Sequence, residues 1–211
     1  MRIAFIGYGQ VGAPLADHLQ RAGHDVVLAA ANPASDSVRQ ATARNPALRV
    51  ATPEAAVREA EVVFLATPFQ ANAAALSAVA EWLPGKVLVD CTNPVGPGLT
   101  HGLQSLESGA QQVQRLAPGA RVVKAFSVYG FENFEDNAFP AVAQKPAMFF
   151  CGDDATAKAT VAGLIAQLGW DPLDVGGLVQ ALHLEHMTLL WVRMVRVNKA
   201  SPHMVWAALR R

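Results

Sequence analysis

The residues best suited to chemistry lie near the start of this chain of 211 residues, in the segment Gly7-Tyr8-Gly9-Gln10-Val11-Gly12. Its three glycines have the spacing G-x-G-x-x-G, which is typical of turns that bind phosphate groups. We expect Gly7 to allow a tight turn, Gly9 to let the backbone approach a pyrophosphate, and Gly12 to let a following helix pack closely. The N-terminus of that helix would supply free N–H groups and a partial positive charge.

The elements on either side of the glycine turn make this interpretation more specific. Residues 2–6 form a short apolar run typical of a strand, and residues 25–28 form a second one. Between the two runs, four apolar residues recur at helical spacing: Val11, Leu15, Leu19 and Ala22. A strand, the glycine turn, a helix and a second strand in this order predict a dinucleotide-binding unit.

Strand-like and helical segments alternate along the rest of the chain. The predicted strands cover residues 48–51, 62–66, 86–90, 121–125, 147–151 and 171–175, and the predicted helices cover residues 53–59, 69–82, 105–116, 154–168 and 178–211, the last with a break near Ser201-Pro202. The alternation predicts an α/β fold of the doubly wound Rossmann type, with a mostly parallel sheet, helices on both faces and a C-terminal helical segment. We interpret residues 1–177 as an NAD(P)-binding Rossmann domain and residues 178–211 as a helical segment packed on it, as a single domain overall.

The composition narrows the class of protein. Lysine plus arginine and aspartate plus glutamate number 17 each, so no net charge favours binding to nucleic acid or to an anionic membrane. No apolar run reaches about 18 uncharged residues, the length that a membrane-spanning helix needs. The chain enters a strand directly after Met1, which leaves no room for a signal peptide. We therefore expect a cytoplasmic enzyme with no nucleic-acid or membrane partner.

The residue types that bind metals form no obvious set. Cys91 and Cys151 end apolar runs and lack metal-ligand spacing, so we expect both to be buried thiols. His183 and His186 lie three residues apart on one predicted helix face and could bind a metal ion together. The alternative interpretation is a polar stripe on the surface of the helix. Without a third placed ligand, the sequence predicts no metal site.

The loops at one edge of the predicted sheet are the candidate binding site, because ligands of open α/β sheets bind beyond the carboxyl ends of the strands. These loops cover residues 7–12, 29–37, 66–70, 91–98 and 125–130. Thr67 and Pro68 offer a hydroxyl and a rigid turn, and Asn93 offers an amide that suits a ribose or a nicotinamide. Ordinary turn chemistry also explains these residues singly, so the prediction depends on the loops as a set.

The end of the second strand bears on the choice of cofactor. An acidic residue there would indicate NAD and an arginine nearby would indicate NADP, but the sequence is Ala29-Ala30-Ala31-Asn32-Pro33. The residues that could contact a 2′-phosphate are Asn32, Ser35 and Ser37, with Arg39 and Arg44 on the next helix, where the alternative is a solvated helix face. The sequence favours NADP and leaves NAD open.

Several segments together carry a family resemblance: residues 7–12, 90–94, 122–127, 151–154 and 168–174. In these segments and their order, the chain resembles the NADP oxidoreductases named for the deazaflavin coenzyme F420, a family that includes the cytoplasmic reductase domains of membrane metalloreductases. The resemblance implies a Rossmann domain, NADPH binding, and hydride exchange with a flavin or deazaflavin ring. A flavin or deazaflavin is therefore the expected co-substrate.

The resemblance also implies that three further loops lie along the dinucleotide, namely those containing Thr67, Asn93 and Lys124. Taken with the glycine turn, the predicted cofactor-binding residues are Gly7, Tyr8, Gly9, Gln10, Val11, Gly12, Ala31, Asn32, Ala66, Thr67, Pro68, Asn93, Pro94, Lys124 and Ala125. Two segments depart from the family pattern. Ala30 and Ala31 replace a serine and an arginine that grip the 2′-phosphate, and Ser127-Val128-Tyr129 replaces a segment that relatives begin with asparagine and threonine.

The length of the chain bears on the mechanism. Only residues 178–211 remain beyond the Rossmann unit, which is too little to enclose a small polar substrate. A flat ring needs less enclosure and accepts hydride directly, so no side-chain acid or base is required. We therefore predict a small-molecule redox partner and assign no catalytic residue.

Two other functions stay open at this stage. One is a non-catalytic sensor or regulator that binds NADPH without turnover. The other is a small imine or carbonyl reductase, which needs a proton donor, and only His101, Lys124 and Tyr129 are available.

The C-terminal segment also predicts association of two copies. Its apolar residues exceed what one solvated helix needs: Met187, Leu190, Trp191, Met194, Val197, Met204 and Trp206. We therefore expect a homodimer.

Overall fold

An eight-stranded sheet runs through the centre of the computed structural model, which describes residues 1–211. Its strands are β1 (Arg2–Ile6), β2 (Asp25–Ala29), β3 (Arg49–Ala51), β4 (Val62–Leu65), β5 (Val87–Asp90), β8 (Arg121–Lys124), β9 (Ala147–Gly152) and β10 (Asp171–Asp174). A separate antiparallel ribbon contains β6 (Val95–Gly96) and β7 (Thr100–His101). The predicted Rossmann-type α/β class is confirmed.

The strand order is β10-β9-β8-β5-β4-β1-β2-β3. The six strands β8, β5, β4, β1, β2 and β3 are parallel to one another. Strand β9 runs antiparallel to β8 and parallel to β10. The strand order reverses between β1 and β4, because the chain passes from the β3 edge back to the other side of β1. This reversal creates a crevice at the carboxyl ends of β1 and β4, the usual position of a ligand in such folds.

Eight α-helices cover the sheet: α1 (Gly12–Arg21), α2 (Asp36–Arg44), α3 (Pro53–Glu59), α4 (Asn72–Ser77), α5 (Gly109–Leu116), α6 (Glu132–Glu135), α7 (Ala155–Gln167) and α8 (Ala181–Val192). Four of them begin after a side-chain cap, because an oxygen of Ser35, Thr52, Ser108 or Asp154 accepts a backbone N–H of the first turn. Buried side chains from strands and helices form one core cluster of 51 residues.

Three predicted elements differ from the structure. The helix expected over residues 69–82 is broken, since 3₁₀ turns flank α4 and the backbone leaves helical geometry at Val79 (φ −128°), whose side chain is fully buried. The helix expected from residue 105 begins at Gly109, because Gln104 and Ser105 have positive φ values of 55° and 59° and Ser108 caps α5. Residues 126–140, for which the sequence predicts neither a strand nor a helix, contain α6.

The C-terminal segment is helical over a shorter range than predicted. A π-helical turn (Arg193–Val197) follows α8, and residues 198–211 form no helix. The tail bonds to other parts of the fold instead: the N–H of Ala147 donates to the Trp206 carbonyl at 2.8 Å, and Trp191 Nε1 donates to the Met204 carbonyl at 2.7 Å. These bonds attach the tail to β9 and to α8.

Part of the apolar surface assigned to a dimer belongs to the core. Trp191 is 1% exposed, whereas Leu190 and Val197 are 51% and 56% exposed. The homodimer stays a prediction. No helix of the structure is long and apolar enough to cross a membrane.

Both cysteines are free and buried, as expected. Burial raises the pKa of the Cys151 thiol to about 12, and burial also raises that of Cys91. His183 and His186 are exposed on α8, where the His186 ring stacks on that of His101 with 5.4 Å between centroids.

The interior of α7 contains an exposed glycine whose replacement tests the helix assignment. An added Cβ at Gly163 would have no atom of another element within 4 Å, so Gly163→Ala should raise the free energy of unfolding by about 1 kcal/mol through helix propensity. The matched control is Gly152→Ala in β9, where the Cβ would lie 2.8 Å from the Val122 carbonyl oxygen and should lower the free energy. Urea unfolding measures both, and a lowered value for Gly163→Ala would contradict the assignment.

Candidate functional site

An open cleft of 810 Å³ lies at the carboxyl ends of β1 and β4. Its volume falls in the range of small-molecule sites. The lining residues come from the glycine turn, the ends of β2 and β4, and the start of α4: Ile6, Gly7, Tyr8, Gly9, Gln10, Val11, Ala29, Ala31, Ser37, Pro53, Ala66, Thr67, Pro68, Ala71, Ala74, Ala75 and Ala78. None of these residues is charged at neutral pH, and Tyr8 alone carries a titratable side chain.

The three glycines of the turn have different surroundings. Gly7 has a φ of 92°, and an added Cβ would lie 2.5 Å from the backbone carbon of Ala66. A Cβ on Gly12 would lie 2.2 Å from the Gly7 carbonyl oxygen, so the close packing expected there is present. A Cβ on Gly9 would meet nothing within 4 Å, because Gly9 faces open space.

The start of α1 carries uncompensated partial charge. No side chain caps this helix, and its first turn contains no acidic residue. The positive end of the helix dipole therefore lies beside the cleft without a protein carboxylate to neutralise it, which favours an anion.

The end of β2 contains no acidic residue. Ala30 is buried, and its N–H donates to the Ala51 carbonyl. Ala31 and Ser37 line the cleft. Asn32 is exposed outside this lining, and its Oδ1 accepts the Ala34 N–H at 3.0 Å. No carboxylate is among the residues that line the cleft at this end.

The two arginines of α2 are paired within the protein. Arg39 bonds to Asp36 and to the Ala34 carbonyl. Arg44 Nε lies 2.9 Å from Asp17 Oδ2, and Arg44 Nη1 lies 2.6 Å from Glu135 Oε2. Burial lowers the pKa of Arg44, but these two carboxylates outweigh it and the net shift is upward. The charge of Arg44 is thus compensated by its own neighbours.

Six predicted cofactor-binding residues do not line the cleft: Gly12, Asn32, Asn93, Pro94, Lys124 and Ala125. Lys124 and Ala125 are fully buried, and Pro94 packs against Gly109. The Asn93 amide donates to the Ser127 carbonyl at 2.9 Å. Asn93, Pro94, Lys124 and Ala125 thus lie outside the lining of the cleft in this structure, and the contact with a dinucleotide that the resemblance implies for them stays a prediction.

Lys124 belongs to a buried charge cluster. Its Nζ lies 3.1 Å from Asp90 Oδ2 and 3.2 Å from Glu185 Oε1, and it also donates to the Thr92 carbonyl. Burial lowers the pKa of Lys124, but the charges of Asp90 and Glu185 outweigh it and raise that pKa above its ordinary value. Three acceptors match the three ammonium hydrogens, so Lys124 has no proton available for a ligand.

Glu185 connects the same cluster to two other elements. It accepts His101 Nε2 at 2.9 Å and the N–H groups of Gly109 and Ala110 at 3.0 and 3.3 Å, at the start of α5. His101 Nδ1 faces the N–H groups of Leu103 and Ser105, so His101 is neutral and its Nε2 carries the proton. The sequence reasoning missed Glu185, although a lone acid in an apolar helical run is a signal for a buried partner.

Tyr129 is also withdrawn from the cleft. Its hydroxyl donates to the Ala147 carbonyl at 2.7 Å and accepts the Trp206 N–H at 3.3 Å, and its ring stacks on Trp170. Burial raises the pKa of Tyr129. The side chains of His101 and Tyr129, two of the three available proton donors, are therefore turned into the core in this structure.

Removal of the Lys124 charge tests the cluster. Lys124→Met should lower the free energy of unfolding by about 3–5 kcal/mol, because Asp90 and Glu185 would become uncompensated buried carboxylates. The folded-state pKa of Lys124 is raised above its ordinary value of 10.5. The contribution of its charge to the free energy of unfolding is therefore complete below pH 10.5 and is lost as the pH rises through the raised pKa.

The control for this experiment is Lys158→Met, which breaks a surface ion pair with Asp174 (2.9 Å) and should cost about 1 kcal/mol or less. Urea unfolding at neutral pH compares the two variants. Equal losses would contradict the assigned role of Lys124.

The family profile described as "NADP oxidoreductase coenzyme F420-dependent" matches residues 2–94. The F420-dependent NADP reductase of Methanothermobacter marburgensis is 29% identical over an alignment of 214 positions, which covers 94% of each protein. Metalloreductase STEAP3 of Rattus norvegicus is 32% identical over 189 residues, which cover 89% of this chain. The matched part spans 36% of the length of that metalloreductase.

Two solved structures share the fold over most of their length. A protein of Arthrobacter sp. FB24, described as a candidate F420-dependent NADP reductase, has a TM-score of 0.84 and 32% identity, covering 94% of this chain and 95% of that one. A hypothetical protein of Sinorhizobium meliloti has a TM-score of 0.77 and 28% identity, covering 86% and 88%. On this evidence, the chain belongs to the family of coenzyme F420-dependent NADP oxidoreductases.

Proposed function

We propose that this protein is an NADP(H)-dependent oxidoreductase that exchanges a hydride between the nicotinamide of NADP(H) and a flavin or deazaflavin ring. Family membership supports the cofactor class, and the printed name of the archaeal relative supports a deazaflavin as its partner. The cleft at the glycine turn supports a dinucleotide site on this chain.

One observation carries the proposal for a ring acceptor: none of the three candidate proton donors of the sequence lines the cleft. His101, Lys124 and Tyr129 are buried and bonded elsewhere. An imine or carbonyl reductase needs such a donor, whereas a flavin-type ring takes hydride directly. The open cleft lets water supply any further proton, and the protein contributes proximity and orientation of the two rings.

We propose that the predicted residues that line the cleft hold NADP(H). Gly9 and the first turn of α1 would receive the pyrophosphate, because open space, N–H groups and a positive dipole end coincide there. Ala31 and Asn32 would lie near the adenosine ribose, and Ala66, Thr67 and Pro68 would form the opposite wall. NADPH supplies, when bound, a hydride that consists of two electrons and one proton.

Gly9→Ala tests the cofactor site without disturbing the fold. The free energy of unfolding should change by less than about 0.5 kcal/mol, because the new methyl group meets open space. The affinity for NADPH should fall by roughly 10- to 100-fold, since charge-assisted hydrogen bonds to the pyrophosphate would be lost. Calorimetric titration with NADPH measures this loss of affinity, with Gly163→Ala in α7 as the control.

We expect the wild-type protein to bind NADPH more tightly than NADH, because no carboxylate lines the cleft and would oppose a 2′-phosphate. Calorimetric titration with both nucleotides measures this preference.

An unchanged NADPH affinity in Gly9→Ala would contradict the assigned site. Anaerobic mixing with NADPH and F420, FMN or FAD then tests hydride transfer. Tight NADPH binding with no oxidation by any of the three would instead favour the non-catalytic sensor.

Tyr129→Phe tests whether a buried tyrosine takes part in the reaction. The free energy of unfolding should fall by about 1–2 kcal/mol, because the Ala147 carbonyl loses its donor. The single-turnover rate of hydride transfer should stay unchanged, because this hydroxyl does not face the cleft. A rate loss in a variant with an intact circular dichroism spectrum would restore Tyr129 as a proton donor.

A further inference from the structure

A chain of side-chain hydrogen bonds connects the buried Lys124–Asp90 ion pair with the wall of the cleft. Thr92 Oγ1 lies 2.7 Å from Asp90 Oδ1, and Asn72 Nδ2 lies 2.9 Å from Thr92 Oγ1. Asn72 Oδ1 in turn lies 2.8 Å from Thr67 Oγ1. Asp90, Thr92 and Asn72 are buried, whereas Thr67 lines the cleft.

The ion pair fixes the direction of every bond in this chain. Asp90 is a carboxylate because it faces the Lys124 ammonium, and a carboxylate only accepts hydrogen bonds. The Thr92 N–H already donates to Asp90 Oδ1 at 2.9 Å, and the Thr92 hydroxyl proton must point to the same oxygen. A hydroxyl has a single proton, so Thr92 Oγ1 can only accept from Asn72.

The direction of the Asn72 amide follows from this constraint. Its NH₂ group must face Thr92, which places its oxygen toward Thr67. Because an amide oxygen only accepts, the Thr67 hydroxyl must donate its proton to Asn72. Thr67 Oγ1, on a residue that lines the cleft, therefore has lone pairs but no free proton to offer a ligand.

We propose that Thr67 is a specificity-determining residue that accepts a hydrogen bond from a donor of the bound dinucleotide, either a ribose hydroxyl or the amide NH₂ of the nicotinamide. Asn72 and Thr92 are positioning residues that maintain this polarity. The inference rests on the proposed function, in which the cleft binds NADP(H).

The fixed polarity distinguishes Thr67 from an ordinary surface threonine. A free hydroxyl rotates and can donate or accept. Here a phosphate or carbonyl oxygen placed against Thr67 would meet lone pairs without a proton, whereas an O–H or N–H group would find an acceptor already oriented. The buried charge thus selects the chemistry of the ligand group at this wall.

Calorimetry on the full chain tests the inference with analogues of NADP⁺ that lose one donor and keep an acceptor. The acetylpyridine analogue removes the amide NH₂ and keeps the carbonyl. Three other analogues each carry fluorine in place of one of the three free ribose hydroxyls. The wild-type protein should bind one of these probes about two- to tenfold more weakly than NADP⁺, which is the effect of one hydrogen bond, and the sensitive probe identifies the donor.

Variants at two positions separate recognition from structure. The measured quantity is the ratio of the affinity for NADP⁺ to the affinity for the sensitive probe. Thr67→Val should bind both equally, and Thr67→Ser should keep the wild-type ratio. Thr92→Val should shrink that ratio although residue 92 does not line the cleft, because the Asn72 amide can then turn over; Thr92→Ser should keep it. A merely structural role of Thr92 would change thermal stability and leave the ratio unchanged.

The outcomes distinguish this inference from the proposed function. If the wild-type protein binds NADP⁺ and all analogues equally, or if Thr67→Val keeps the wild-type ratio, the inference is overturned while the cofactor site stands. If neither NADP⁺ nor NADPH binds, the proposed function fails and the inference fails with it. Circular dichroism checks each variant, and if Thr67→Val does not fold, the Thr92→Val and Thr92→Ser ratios decide.

Discussion

The compensation of the Lys124 ammonium is the interaction on which the ligand side of this fold depends. Asp90 and Lys124 are direct neighbours in the register of β5 and β8, and Glu185 approaches the same ammonium from α8. A fully buried charge without its partners would cost several kcal/mol. The two strands, the start of α5 and the C-terminal helix must therefore keep their relative positions for the cluster to stay neutralised.

The cluster carries one more negative than positive charge, because His101 is neutral. The Glu185 carboxylate, which α8 supplies, contacts the N-terminus of α5, where two backbone N–H groups and the positive end of the helix dipole offset this charge. Residues 178–192 thus do more than cover the sheet. Glu185 brings a carboxylate that Lys124 requires, so α8 is part of the electrostatic structure behind the cleft.

Local patterns were sufficient to predict most of the sheet from the sequence. The glycine turn and the apolar strand of residues 62–65 are specified by neighbouring residues, and their positions agree with the structure within one residue. The cleft wall at Ala66–Thr67 followed from the same rule. The buried state of Lys124 could not be predicted, because it depends on Glu185, which lies 61 positions later in the chain. The non-helical course of residues 198–211 could not be predicted for the same reason, since a partner such as Ala147 is distant in sequence.

The separation of charge from the cleft has a chemical consequence. The Lys124 ammonium and its two carboxylate partners are buried at this edge, and none of the residues that line the cleft is charged. The electrostatics there come from fixed dipoles: the start of α1, the backbone of the glycine turn, and the oriented Thr67 hydroxyl. Fixed dipoles do not titrate near neutral pH, so under the proposed function they would orient two large redox rings without adding an ionisation of their own. A site of this kind positions the reactants and leaves the electron transfer to their own chemistry.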